Sequence, residues 1–192
     1  METYKDLPVI FFEDAEQWAK WLEQHHAEPT GVWLKFAKKA SGIVSLNYAG
    51  ALDEALCYGW IDGQTKSIDE TYYLQKFTPR RTKSLWSKRN VGKIAELTKQ
   101  GRMKPSGIAE VEAAKLDGRW DQAYDGPANI TIPPEFQAML DANPKAKEFY
   151  ASLNKTNTYA ILWPIYTAKR PETKQARMEK MLAMLLEGKK VH

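Results

Sequence analysis

The sequence predicts an α+β protein: a small antiparallel sheet of about three strands packed with helices, followed by an all-helical C-terminal portion. Three observations carry this. Residues 31–37, GVWLKFA, alternate Val32, Leu34 and Phe36 against Trp33 and Lys35, the period of a strand with two unequal faces. Residues 71–77, TYYLQKF, are a second β-rich run, and Pro79 stops it. Beyond Pro134 the apolar residues recur at helical spacing.

In chain order, an extended start leads to Asp14, which with Gln17 three residues on resembles a capping box. The helix from Ala15 to His26 then places Trp18, Trp21 and Leu22 on one face. Its acids Asp14 and Glu16 sit at the start and His25 and His26 at the end, as the helix dipole prefers, so both histidines read as structural. After the GVWLKFA strand, Ser45 is placed to cap a second helix. Its stripe of Tyr48, Ala51, Leu52, Ala55 and Leu56 runs until Gly59, and Cys57 packs at that seam as a small hydrophobe. From Trp60 the chain reads as extended, with Asp62-Gly63 as a turn or bulge signal. Asp69-Glu70 then separates it from TYYLQKF, which makes a hairpin.

Ser87 is a good N-cap for a third helix, with Trp86 and Val91 at the two positions of a hydrophobic staple, and Gly101 ends it. Pro105 opens a fourth, on which Ile108 and Val111 are expected to face inward, and Gly118 closes it. Residues 125–134, DGPANITIPP, read as a linker between a core domain over 1–124 and a helical portion over 135–192. In that portion Phe136, Met139 and Leu140 mark one helix, and Phe149, Tyr150 and Leu153 a second that begins at Asn143-Pro144. A third carries Tyr159, Leu162 and Tyr166 around a kinking Pro164. The last runs from Pro171 through Met178, Met181, Leu182 and Leu185 to Gly188.

Composition narrows the function classes. With 192 residues and 43% hydrophobic content the chain builds one core, or one core plus a small subdomain. Its single cysteine rules out an internal disulfide and a cysteine zinc site. The three histidines have no metal-ligand spacing, so neither metal nor cofactor is expected. No window is apolar enough to span a bilayer, and the N-terminus lacks the basic-then-apolar pattern of a signal peptide; the expectation is a cytoplasmic chain.

Charge is uneven: residues 1–75 hold 6 basic and 12 acidic groups, residues 76–120 hold 12 and 4. The basic loop over 76–95 has seven Lys or Arg and no acid. Within it, FTPRRTKSLWSKRN places Arg80, Arg81 and Lys83 ahead of the hydroxyls of Ser84 and Ser87 and the free N–H groups of a helix start. All of these donate to anions, and guanidiniums grip phosphate or carboxylate in bidentate fashion. A solvated basic turn is the alternative. GWIDG, residues 59–63, sets Trp60 and Asp62 between glycines, with Asp62 as a salt-bridge partner for Arg80 or Arg81, or as a general base. Trp60, Tyr72, Tyr73, Trp86 and Trp120 are interleaved with basic residues, as stacking platforms are in single-strand nucleic-acid binders, although most aromatics at such positions serve packing. GxxxxGKS, GxGxxG and GxSxG are absent, so no catalytic residue is assigned and binding is favoured over catalysis.

The blocks ALCYGWIDG, FTPRRTKSLWSKRN, GRMKPSGIAEVEAAKLDGRWDQAY and AKRPETKQARMEKMLAMLLEGKK resemble the YdeI/OmpD-associated family, also labelled bacteriocin-protection proteins, nearly end to end. The resemblance implies protection against bacteriocins or cationic antimicrobial peptides, and no cofactor. It marks Trp60, Asp62, Arg80, Arg81, Ser84, Trp86, Ser87 and Asn90 as matched positions. With Lys83 these are the candidate ligand-binding residues for a small anion: a phosphate, a carboxylate or a nucleotide. A nucleic-acid binder and an enzyme acting on a phosphorylated or carboxylated small molecule are the alternatives.

Overall fold

A computed structural model describes residues 2–191. Its first strands lie in the extended start. β1 (Thr3–Tyr4) and β2 (Leu7–Phe11) are joined by Lys5 and Asp6, whose φ values of 49° and 62° give the tight turn that suits strand twist. Asp14 then caps α1 (Ala15–His25). Its carboxylate accepts from Gln17 N–H at 2.9 Å, and the Gln17 side chain accepts in return from Glu13 N–H at 3.1 Å.

β3 (Val32–Ala37) follows, then α2 (Tyr48–Cys57), β4 (Trp60–Ser67) and β5 (Tyr72–Pro79). α2 is capped by Asn47, whose side chain accepts from Gly50 N–H, and not by Ser45. The Ser45 hydroxyl accepts from Ala37 N–H and ties the loop to the end of β3. The β4–β5 hairpin turns at Asp69, whose carboxylate takes the N–H groups of Thr71 and Tyr72, both at 2.7 Å. Those two backbone donors hold its pKa below the usual carboxylate range.

The strands form one sheet in the order β1-β2-β3-β5-β4. β5 pairs antiparallel with both β3 and β4, and β4 bulges between Asp62 and Thr65. β2 runs parallel to β3, with Val9 opposite Trp33. The expectation of about three antiparallel strands is therefore corrected to five strands in a mixed sheet. Two short N-terminal strands, one with Pro8 inside it, carry too little alternation to read as strands. The connection through α1 is long enough to bring the next strand back in the same direction.

Register separates the faces. Inward point Val32, Leu34, Phe36 and Phe77, closed over by Trp18, Leu22, Leu52, Leu56 and Trp60, all of them at most 1% exposed. Two of the buried indoles here bond their N–H groups to backbone, Trp18 to Ala51 O at 3.1 Å and Trp60 to His26 O at 2.9 Å. The same core takes α3 (Lys88–Lys99) and α4 (Pro105–Leu116). Gly107 touches α2 so closely that a Cβ there would lie 2.1 Å from the Cys57 carbonyl oxygen. On α4, Val111 is buried, but Ile108 is 47% exposed, against the expectation that both face inward.

The chain divides into a unit ending at Ala123 and a second from Tyr124. In the second, four helices follow an irregular run: α5 (Pro134–Asp141), α6 (Pro144–Ala151), α7 (Lys155–Tyr166) and α8 (Pro171–Leu186). They bury Phe136, Leu140, Ile161, Leu162, Ile165 and Leu185. Arg177 of α8 donates to the Pro164 carbonyl and the Thr167 hydroxyl, a cation at the C-terminal end of α7 where the helix dipole favours it.

Candidate anion-binding site

The exit of β5 sorts two adjacent arginines. Arg80 is 6% exposed; its guanidinium lies 3.5 Å from the Trp86 ring centroid and donates to Leu85 O at 3.2 Å. A desolvated guanidinium over an indole face is a strong cation–π arrangement. Arg81 is exposed. Residues 81–84 then close a small turn: Arg81 N–H donates to the Ser84 hydroxyl at 3.0 Å, and Ser84 N–H to Arg81 O at 2.8 Å. Arg119 braces the turn from outside by donating to Ser84 O at 2.9 Å, while Asp117 holds its guanidinium.

Ser87 caps α3, accepting from Asn90 N–H at 3.2 Å. Both serine hydroxyls of the loop thus accept a local backbone N–H. Trp86 is 2% exposed, between Arg80 and Trp120, and Asn90 is 7% exposed inside the first turn of α3. Trp60 is fully buried in the inner core. Asp62, on the inner side of β4, accepts from the Tyr48 hydroxyl at 2.8 Å. Burial first, and the bond to Asp62 second, push the Tyr48 phenol up to about 12, so it stays a donor at neutral pH. Lys83 is exposed at the turn.

A cavity of about 420 Å³ opens where β5 ends, against the start of β3. Lys76 and Thr78 line it from β5, Arg80 and Arg81 from just past its end, Thr30 from the entry of β3 and Leu7 from β2; no acid is among the lining residues. Gly31 permits the close approach: a Cβ there would lie 2.5 Å from Thr78 Cγ2 and 2.6 Å from the Phe77 carbonyl oxygen. Of the nine residues expected from the sequence, Arg80 and Arg81 line this cavity, and the other seven lie in the core, on β4, in the turn or at the start of α3. Lys76, Thr78 and Thr30, which also line the cavity, were not among those nine. The first two were within reach, because alternation along β5 puts Lys76 and Thr78 on the same face two residues apart; nothing local marks Thr30.

Neither His25 nor His26 lines this cavity. His25 Nδ1 sits 2.7 Å from Trp21 O and His26 Nδ1 3.0 Å from Leu22 O, both in the last turn of α1. Among the described residues no cluster of His, Cys, Asp and Glu could hold a metal ion. Cys57 is buried, and burial pushes its thiol up to about 11, which leaves it a weak nucleophile.

The architecture is that of an α+β unit with an open basic cavity at the end of β5, joined in sequence to a small helical unit. Residues 10–110, more than half of the chain, match the model of a domain of unknown function (DUF8412), and the chain belongs to that family. Residues 129–188 match the family described as bacteriocin-protection, YdeI or OmpD-associated, so the resemblance read from the sequence holds over the second unit. Two of the quoted blocks, ALCYGWIDG and FTPRRTKSLWSKRN, fall instead within the span of the first family. No curated protein and no solved structure matches the chain. No helix among the described residues is long and apolar enough to cross a membrane.

Proposed function

We propose that this protein serves in protection against bacteriocins by holding a small anion, a phosphate or a carboxylate, in the cavity at the end of β5. The match of residues 129–188 supports the protective role at family level. The anion reading rests on one observation: Lys76, Arg80 and Arg81 line one cavity together with Thr30 and Thr78, and no Asp or Glu is among its lining residues. Stacking on Trp86 holds the Arg80 guanidinium in one place, so little side-chain entropy is lost there when an anion arrives. Arg81, free to swing in from solvent, supplies the bidentate grip.

Thermal unfolding with and without inorganic phosphate or citrate tests this. A ligand that binds the folded state alone at a hundred times its Kd stabilises by about 2.7 kcal/mol, a clear rise in Tm. Arg81→Ala is expected to keep the wild-type Tm without anion and lose the rise with it. A wild-type Tm indifferent to both anions, or a rise that survives Arg81→Ala together with Lys76→Ala, defeats the proposal.

A further inference from the structure

The outer face of the sheet carries a second pattern. Strands β2 to β5 contain three lysines and one acid. Lys35 and Lys66 both lie opposite Leu74, and Lys76 lies opposite Trp33, on the face that holds Val9, Trp33 and Leu74. Residues directly opposite each other share a face, so all three lysines point outward. The acid, Asp62, is opposite Phe77 and points inward. Two aromatics join the lysines: Phe11, 39% exposed, and Tyr72, edge-to-face at 6.4 Å and 87°. With Lys35 and Glu2 they line a recess of about 250 Å³. The Lys35 ammonium stands 4.8 Å over the Tyr72 ring and 3.3 Å from the Glu2 carboxylate.

We propose that this outer face binds single-stranded nucleic acid, with a base in the recess of Phe11 and Tyr72 and phosphates along Lys66 and Lys76. Every base has a π face, so an aromatic recess bordered by a cation accepts bases with little sequence preference. From Tyr72 to Arg80 the strand runs about 26 Å at ~3.3 Å per residue, which an oligonucleotide spans and a mononucleotide does not. Access is open on the β4 side, where Gly63 to Ser67 are all exposed. The aromatics first singled out in the sequence do not make this platform. Trp60 and Trp86 are buried, Tyr73 stacks inward on Phe36, and Tyr72 alone among them reaches the outer face. The inference shares Lys76 with the anion cavity but stands without it.

The test is a fluorescence-anisotropy titration of the full chain with labelled oligo-U RNA and oligo-dT of about a dozen nucleotides. Salt is set at about 50 mM and about 200 mM, because neutralising several phosphates makes affinity fall steeply over that range. The expected result is binding of at least one polymer at low salt, weakened by at least tenfold at high salt. Tyr72→Ala and Lys66→Ala should each weaken it about fivefold or more, and Tyr72→Phe should retain it. Tyr72→Ala should also keep the phosphate-dependent rise in Tm, which separates this face from the cavity. Should Tyr72→Ala fail to fold, the exposed Lys66→Ala carries the test. Absence of binding at low salt, wild-type affinity in the foldable variants, or equally tight binding of labelled polyglutamate would overturn the proposal.

Discussion

The two faces of the sheet use the same strands for opposite ends. Inward, Val32, Leu34, Phe36 and Phe77 are at most 1% exposed and meet the indoles of Trp18 and Trp60, whose N–H groups both reach backbone carbonyls. Outward, the residues between them are lysines and half-covered aromatics, and the small cluster of Val9, Trp33 and Leu74 is the closed part of that side. The difference teaches that parity along a strand, more than residue type, decides what a side chain is for. Trp60 and Tyr72 read alike in the sequence as aromatics beside basic residues, yet one is core and the other lines an open recess.

That contrast breaks or holds first at Trp18. Trp18→Ala removes a fully buried indole stacked at 5.2 Å on Trp21 and edge-on to Trp60, so it should cost about 3–5 kcal/mol in urea denaturation. Phe11→Ala on the outer face removes a ring already 39% exposed and should cost far less. Comparable losses from the two would mean that the outer face is also structural core.

The adjacent arginines sharpen the comparison at smaller scale. Arg80→Ala deletes a desolvated guanidinium stacked on Trp86 and should lower stability by about 2 kcal/mol. Arg81→Ala changes an exposed side chain and should stay within about 0.5 kcal/mol. Equal, small losses in the same denaturant series would mean that the stack on Trp86 contributes nothing net.

Much of the fold was legible because it is written in local periods. The GVWLKFA alternation, the Asp14 and Ser87 caps, the Asp62-Gly63 bulge signal and the helical stripes beyond Pro134 each depend on residues within one turn or strand of one another. The N-terminal strands were not legible, since LPVIF is short and its pairing with β3 is set by a partner more than 20 residues away. Ser45 and Asn47 are both good caps two residues apart, and the choice between them is made by Ala37, whose N–H takes the Ser45 hydroxyl. For the candidate site, the charge imbalance pointed to the stretch from which Arg80 and Arg81 line the cavity, and to a helix start that lies outside that lining. Sequence marks a helix start as an anion site wherever basic residues precede a cap. It does not reveal that the Ser84 hydroxyl already accepts a local backbone N–H, or that the entry of β3 comes to lie against the exit of β5.

The smallest expected effect decides between those two ends. Ser87 accepts from Asn90 N–H at 3.2 Å, and without its hydroxyl that donor at the start of α3 loses its cap. Ser87→Ala should therefore lower stability by about 1 kcal/mol, the usual cost of removing a cap. Its consequence for anion binding is the sharper readout. If the anion sits in the cavity of Lys76, Arg80 and Arg81, the variant melts lower but gains as many degrees from phosphate as the wild type does, because Ser87 is not part of that lining. A helix-start site would need the same hydroxyl and the same N–H groups for the ligand, and the phosphate increment would then shrink along with the cap. Melts of wild type, Ser87→Ala and Arg81→Ala over one phosphate series separate the two, and an increment lost in Ser87→Ala but kept in Arg81→Ala would move the site from the end of β5 to the start of α3.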